Sequence, residues 1–304
     1  MAPHFMDQMA TGIERLRSPV VVGLDPRWEQ LPETMRRDGG NSWHVMAEAY
    51  ARFCNEVCDV VAGLVPAVKV QAAFFEELGP AGMTAMGQVI AHARDRGLLV
   101  ILDGKRNDIG STAEAYARGY LGRGESAWGA DALTVSPYLG SDTLVPLVDI
   151  ANERGAGIFV LVKTSNPGGG MLQDLVTNGE KVYQRVGTSV EELSHASAGE
   201  YGYGSVGAGV GATYPEQLAE LRASMPHTWF LVPGYGSQGG TAKDVAGGFD
   251  GRGWGAIVNN SRGILFAYER PEYAQRFGAA RWQEAVEAAT RQMIYELREA
   301  IPCL

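Results

Sequence analysis

Cysteine is scarce in this chain, with three among 304 residues, at Cys54, Cys58 and Cys303. An odd number at no framework spacing, in a chain long enough to bury a large core, argues against a disulfide-stapled secreted scaffold. Cys54 and Cys58 stand four apart, the spacing of one helix face, and no neighbouring histidine or cysteine completes a metal set with them. Long apolar runs are also missing. The uninterrupted ones, such as residues 98–102 and 158–162, fall far short of the ~18 residues that cross a bilayer. Near the start, Phe5, Met9, Ile13 and Leu16 recur at helical spacing but are interrupted by charge, unlike the apolar stretch of a signal peptide. A basic excess is absent too: 26 Lys and Arg face 35 Asp and Glu, a net charge of −9. That balance argues against a nucleic-acid or anionic-membrane binder. The expectation is a cytoplasmic protein in a reducing compartment, with neither nucleic acid nor membrane as partner. Five histidines, at His4, His44, His92, His195 and His227, sit at no predicted strand end and read as surface or packing residues.

What is abundant is glycine. Forty of 304 residues is about 13%, roughly twice the usual ~7%, with no collagen-like period to account for it. Short β-branched runs recur at residues 20–25, 65–71, 98–103, 130–136, 157–163, 205–211, 229–233 and 256–260, each followed by a polar turn and a helical pattern. Their near-continuous apolarity, as in IFVLV, suits strands covered on both faces, the mark of a parallel sheet. S-x-x-E at Ser111 to Glu114 and T-x-x-E at Thr213 to Glu216 read as capping boxes. Trp282, Val286, Ala289, Met293 and Leu297 form one apolar stripe of a closing helix.

Eight β/α alternations, without G-x-G-x-x-G after the first strand, predict a single (β/α)8 TIM barrel over residues 1–304, not an open doubly wound sheet. Such a barrel builds its site from the C-terminal strand ends and the loops beyond them. Those ends carry Asp25, Lys69, Asp103, Ser165, Gly234 and Arg262.

The densest polar cluster is DGKRNDIGST at residues 103–112. Asp103 and Lys105 are two apart and, in an extended chain, project to one side, with Asp108 farther along the loop. Two carboxylates and an ammonium at a barrel mouth would shift one another's protonation and hold a lysine ready to donate a proton, although most charged runs are simply solvated loops. Lys69 ends the apolar segment VPAVKV, where a lone lysine is costly unless paired, and Asp103 on the neighbouring strand is its natural partner. PGYGSQGGTAKD at 233–244 and NNSRG after the last strand read as phosphate chemistry. Bare backbone N–H groups there would meet an anion, with an amide from Gln238 and a fork from Arg262. PGGG at 167–170 reads as a mobile loop that closes over ligand. Residues 178–203 suggest an elaborated helix and loop with no assigned role.

D-x-K-x-x-D at Asp103, Lys105 and Asp108, Lys69 after the second strand, Asp25 after the first, and PGYGSQGG with Arg262 together resemble orotidine 5′-phosphate decarboxylases. DGKRNDIGSTAEAYA is similar to the longer bacterial branch of that family, departing from the better-known branch, which has proline where Gly110 stands. The resemblance implies cofactor-free, metal-free decarboxylation of orotidine 5′-monophosphate to UMP and CO2, the last step of de novo pyrimidine nucleotide synthesis. It implies that Lys105 protonates the C6 carbanion, that Asp103 crowds the substrate carboxylate, and that Lys69 and Asp108 complete an alternating charge network. It further implies ribose contacts from Asp25 and Lys69, a base contact from Ser165, phosphate contacts from Gln238 and Arg262, and a homodimer in which Asp108, Ile109 and Thr112 reach the partner's site. Metal-dependent sugar-phosphate decarboxylases and hexulose-phosphate synthases of the same wider group share D-x-K-x-x-D. They look different after the second strand, where a carboxylate that helps hold Mg²⁺ stands in place of Lys69. A non-catalytic nucleotide-phosphate binder would not need a lysine between two acids.

Overall fold

The computed structural model describes residues 4–36, 42–236, 239–301 and 303–304. Eight strands form the centre: β1 (Val20–Leu24), β2 (Ala67–Gln71), β3 (Leu99–Arg106), β4 (Ala132–Val135), β5 (Gly157–Lys163), β6 (Val206–Val210), β7 (Phe230–Val232) and β8 (Ala256–Asn260). They close in the order β1-β8-β7-β6-β5-β4-β3-β2, and every pairing is parallel. With helices between successive strands, this is the (β/α)8 barrel that the alternation predicts.

Side chains along a strand alternate between faces, and here the two parities separate two cores. Val20, Val22, Val68, Val100, Leu102, Val160 and Val258 point outward and pack under the surrounding helices. Val21, Ala67, Ile101, Phe159, Leu231 and Ile257 point to the barrel axis. That inner cluster is completed by the helix Phe5–Leu16, whose Phe5, Met6, Met9, Ala10 and Ile13 plug the N-terminal end of the barrel. Phe5 meets Phe159 edge-on at 6.1 Å between ring centroids. The apolar spacing first noticed near the start of the chain therefore belongs to a floor for the barrel.

Glycine is used on the same inward face. A Cβ on Gly207 would lie 2.5 Å from the Phe159 ring, so β6 must be bare there for the ring to fill the axis. The glycine excess around β6 thus has a packing cause.

Some local expectations are corrected and others gain detail. β3 does not stop at Asp103 but runs to Arg106, through an irregularity in its pairing with β4 between Leu102 and Arg106. Neither expected capping box forms. The helix Gly110–Tyr120 is capped at Ile109 and Pro215–Ser224 at Tyr214, without a side-chain cap bond in either case. Thr213 instead donates to the Ser165 carbonyl. Working caps include Ser42, which accepts from Val45 N, and the Thr241–Asp244 box. PGGG forms a helical turn, Pro167–Gly169, leading into the helix Gly170–Gln173. Residues 178–203 hold a short strand, Glu180–Lys181, and the helix Val182–Ala196. His92 and His227, which read as surface or packing residues, pair with carboxylates, lying 2.8 Å from Asp59 and 2.6 Å from Glu191. Cys54 and Cys58 share the buried face of Trp43–Val61 as expected, and the closing stripe is buried along Trp282–Ala300.

Candidate active site

The inward parity that is apolar at the bottom of the barrel turns polar at the top. Continuing each strand in steps of two residues replaces Val21 with Asp25 beyond Gly23, Ala67 with Lys69 and Gln71, Ile101 with Asp103 and Lys105, and Ile257 with Asn259 and Ser261. All of these line one cavity of about 550 Å³ at the C-terminal mouth. Its floor includes Phe159, Leu161, Gly209 and Leu231, and its wall continues through Ser165 and Arg262.

Asp103 is the hub. One carboxylate oxygen, Oδ2, accepts from Lys69 Nζ at 2.7 Å and Gln71 Nε2 at 2.9 Å. The other, Oδ1, accepts from Lys105 Nζ at 2.6 Å and Thr134 Oγ1 at 2.9 Å. Burial alone would push the Asp103 carboxyl up, but the charge of Lys69, then that of Lys105, and their hydrogen bonds outweigh it and hold the group well below the usual carboxylate range. Burial likewise pushes Lys69 down, and Asp103 and then Asp25 hold it above the ordinary lysine value. The hub is therefore an anion clasped by two cations, one buried and one with its side chain 48% exposed toward the cavity.

Lys105 has a left-handed backbone, φ 46°, a conformation that is uncommon for a residue other than glycine. Its N–H donates to Thr134 Oγ1 at 2.9 Å, while that hydroxyl donates to Asp103. Thr134 thus fixes both the turn that presents Lys105 and the carboxylate that orients its ammonium. Gln71 and Thr134 were not anticipated. Their only signal was register, since Gln71 pairs with Asp103 across β2 and β3 and Thr134 lies one residue before the end of β4, beside β3.

At the opposite end of the cavity, Gly234 and Gly236 adopt positive φ, and the Gly236 N–H donates to the Gly240 carbonyl at 2.8 Å, folding the loop after β7 back on itself. Arg262 is exposed at the start of the helix Arg262–Leu265 beyond β8. Gln238 lies outside the described residues. Asp25 keeps a buried Oδ1 that has no hydrogen-bond partner among the described residues.

Asp108, Ile109 and Thr112 do not join this group. Asp108 Oδ1 accepts from the Ile109 N–H at 2.8 Å, Ile109 is 62% exposed and Thr112 is exposed. None of the three lines the cavity of its own chain. No group of three or more His, Cys, Asp or Glu residues suited to a metal occurs among the described residues. No helix among them is long and apolar enough to cross a membrane.

Residues 18–277 match the family described as orotidine 5′-phosphate decarboxylase / HUMPS. The chain belongs to that family. Among its relatives, an orotidine 5′-phosphate decarboxylase of Rhodopirellula baltica is 57% identical over 298 residues, covering 97% of this chain and 99% of the relative. One from Deinococcus radiodurans is 42% identical over 271 residues, covering 88% and 91%. The solved structure of Leishmania donovani OMP decarboxylase superposes with a TM-score of 0.70 at 32% identity, covering 95% of this chain and 99% of that one. Within that description, both of these relatives are named as orotidine 5′-phosphate decarboxylases, and the solved structure as an OMP decarboxylase.

Two expectations follow from the hub. Thr134→Val removes one acceptor and one donor at once, and unsatisfied buried groups cost about 1–3 kcal/mol. Turnover should fall roughly five- to a hundredfold on that basis, with KM little changed; unaltered steady-state kinetics would show that Thr134 positions nothing. The pH dependence is two-sided. Asp103 has a lowered folded pKa, so its contribution is present above the ordinary carboxylate value and lost as pH falls through the lowered one. Lys69 has a raised pKa, so its contribution is complete below the ordinary lysine value and lost as pH rises through the raised one. In urea unfolding, the stability gap between wild type and Asp103→Asn should be widest near neutrality and shrink in both directions. A gap constant from acid to alkali contradicts this.

Proposed function

We propose that this protein decarboxylates orotidine 5′-monophosphate to UMP and CO2, with Lys105 as the proton donor. The observation that carries the reading is the buried Asp103 carboxylate held between Lys69 and Lys105 at the barrel mouth, in a chain matched over nearly its whole length by relatives named for that reaction. The substrate carboxylate would lie beside Asp103. Cleavage of the C6–carboxylate bond leaves the electron pair on C6 as CO2 departs. An N–H of the Lys105 ammonium then protonates C6, and solvent restores the proton to the lysine.

Magnitudes rank the contributions. Two unit charges about 4 Å apart at an effective dielectric near 20 repel by roughly 4 kcal/mol. Enzymes lower barriers by ~8–23 kcal/mol, so repulsion between Asp103 and the substrate is a minor share. The larger share falls to Lys105, whose fixed positive charge meets the developing anion, and to binding energy remote from C6. The glycine loop after β7, Gln238 and Arg262 would supply that energy by holding the phosphate. Asp25 and Lys69 would hold the ribose hydroxyls and Ser165 the base.

The reading assigns no metal or organic cofactor, and Lys69 supports this against the metal-dependent sugar-phosphate branch. Its ammonium brings to Asp103 the positive charge that a bound cation would otherwise supply, and it would repel one. A pure nucleotide-phosphate binder gains nothing from a buried acid clasped by two lysines, one of them open to the cavity. We further propose a homodimer in which Asp108, Ile109 and Thr112, none of which lines its own cavity, enter that of a second copy. The exposed Ile109 and Tyr138 suit such a contact. A soluble cytoplasmic setting, in the last step of UMP synthesis, agrees with the composition.

Mixing the protein with orotidine 5′-monophosphate in EDTA should produce the loss of its absorbance; an inert mixture refutes the assignment. Lys105→Ala should abolish this turnover while calorimetry still detects UMP binding, and near-normal turnover would exclude the lysine as donor. Arg262→Ala should chiefly raise KM, because the residue is remote from C6. Unaltered kinetic constants would place the phosphate elsewhere.

A further inference from the structure

Lys163 is used by none of these steps, yet it ends β5, lines the cavity and is 0% exposed. Its Nζ donates to Asp174 Oδ1 at 2.7 Å. The ring centroids of Tyr214 and Tyr183 lie 4.7 and 5.4 Å from the same nitrogen. A buried ammonium requires an anion close by, and the carboxylate that serves here is eleven residues farther along the chain. Asp174 can reach it only because the intervening segment folds back through the turn Pro167–Gly169 and the helix Gly170–Gln173.

A second clasp lies beside the first. Gln173 Oε1 accepts from Thr164 N at 3.0 Å, and its Nε2 donates to Thr164 Oγ1 at 2.8 Å. From the other side, Thr213 Oγ1 donates to the Ser165 carbonyl at 3.1 Å. Gly211 leaves room for that residue: a Cβ there would come within 2.8 Å of Ser165 Cα and Cβ. Ser165 and Asn166, which both line the cavity, are thereby held between a charged clasp and a close-packed strand end.

We propose that Lys163 and Asp174 are positioning residues that set Ser165 and Asn166 for recognition of the nucleobase. This rests on the reading of Ser165 as a base contact. The pair touches no reacting atom. It acts by fixing one geometry of the segment 164–173, the register-setting use of a buried ion pair. Without it the competent geometry is one among several, and affinity falls by the fraction of time that geometry is occupied.

The test separates the base from the rest of the nucleotide. UMP and ribose 5-phosphate are titrated calorimetrically into wild type, Asp174→Asn, Lys163→Met and Ser165→Ala. Asp174→Asn and Lys163→Met should weaken UMP roughly tenfold or more, as expected when the competent loop becomes a minor state, and leave ribose 5-phosphate unchanged. Ser165→Ala should weaken UMP in the same selective way. If Asp174→Asn binds UMP like wild type while Ser165→Ala does not, the base contact stands and the clasp is refuted. If Ser165→Ala also binds UMP normally, the base contact fails and the proposal with it. Parallel loss of both ligands in Asp174→Asn shows general disruption and likewise overturns the positioning role. Should Lys163→Met fail to fold, Asp174→Asn decides alone, since its carboxylate is partly exposed.

Discussion

Every chemical feature of the barrel mouth depends on keeping one carboxylate ionised where water barely reaches it. Asp103 receives hydrogen bonds from Lys69, Gln71, Lys105 and Thr134, drawn from three adjacent strands. A buried charge with any of these missing would be expensive, so the arrangement ties the register of β2, β3 and β4 to the protonation of a single group. Lys69 serves as the fixed counter-charge. Lys105 meets the same anion from the solvent side, and its Nζ is thereby held at the cavity.

The same parity rule that places this group also builds the rest of the interior. One face of each strand begins apolar, where the helix Phe5–Leu16 seals the barrel, and ends polar, where the cavity opens. Phe159 illustrates the transition, since it both packs on Phe5 and forms part of the cavity floor. Its placement requires a bare β6 at Gly207. Stability and ligand shape are consequently set by neighbouring positions on the same strands, and a substitution at one is transmitted to the other through a distance of two residues.

Much of this was legible in the amino-acid sequence because it depends on period and on strand ends. The eight β-branched runs follow from period, the ion pair between Lys69 and Asp103 from their places at the ends of successive strands, and Asp25 from its place at the end of the first. What was not legible depends on side chains that carry no distinguishing mark and on how loops return. Thr134 carries no mark in ALTV that distinguishes it from a packing threonine; only the closure that sets β4 beside β3 gives it two partners. Lys163 read as the last residue of an apolar run, because its anion lies beyond a loop whose path the sequence does not state. Ser111 and Thr213 failed as caps for a related reason: the motif was present, but the chain entered each helix a residue or two away. Asp108, Ile109 and Thr112 lie outside the cavity of their own chain, a placement that spacing along the chain does not state.

The seal made by the helix Phe5–Leu16 has a consequence for synthesis. That helix leaves the ribosome early, but Trp229, Leu231 and Ile257 in the cluster it joins come from β7 and β8 or their approach, and Val20 of β1 pairs with Val258 of β8. Non-local pairings of this kind form slowly, and the ring that this floor closes is complete only once the final strand has been made. A nascent chain lacking β8 has neither a closed ring nor a complete mouth for a nucleotide. Such a fragment exposes an apolar helix and two unpaired strand edges, the surfaces on which unfinished chains aggregate.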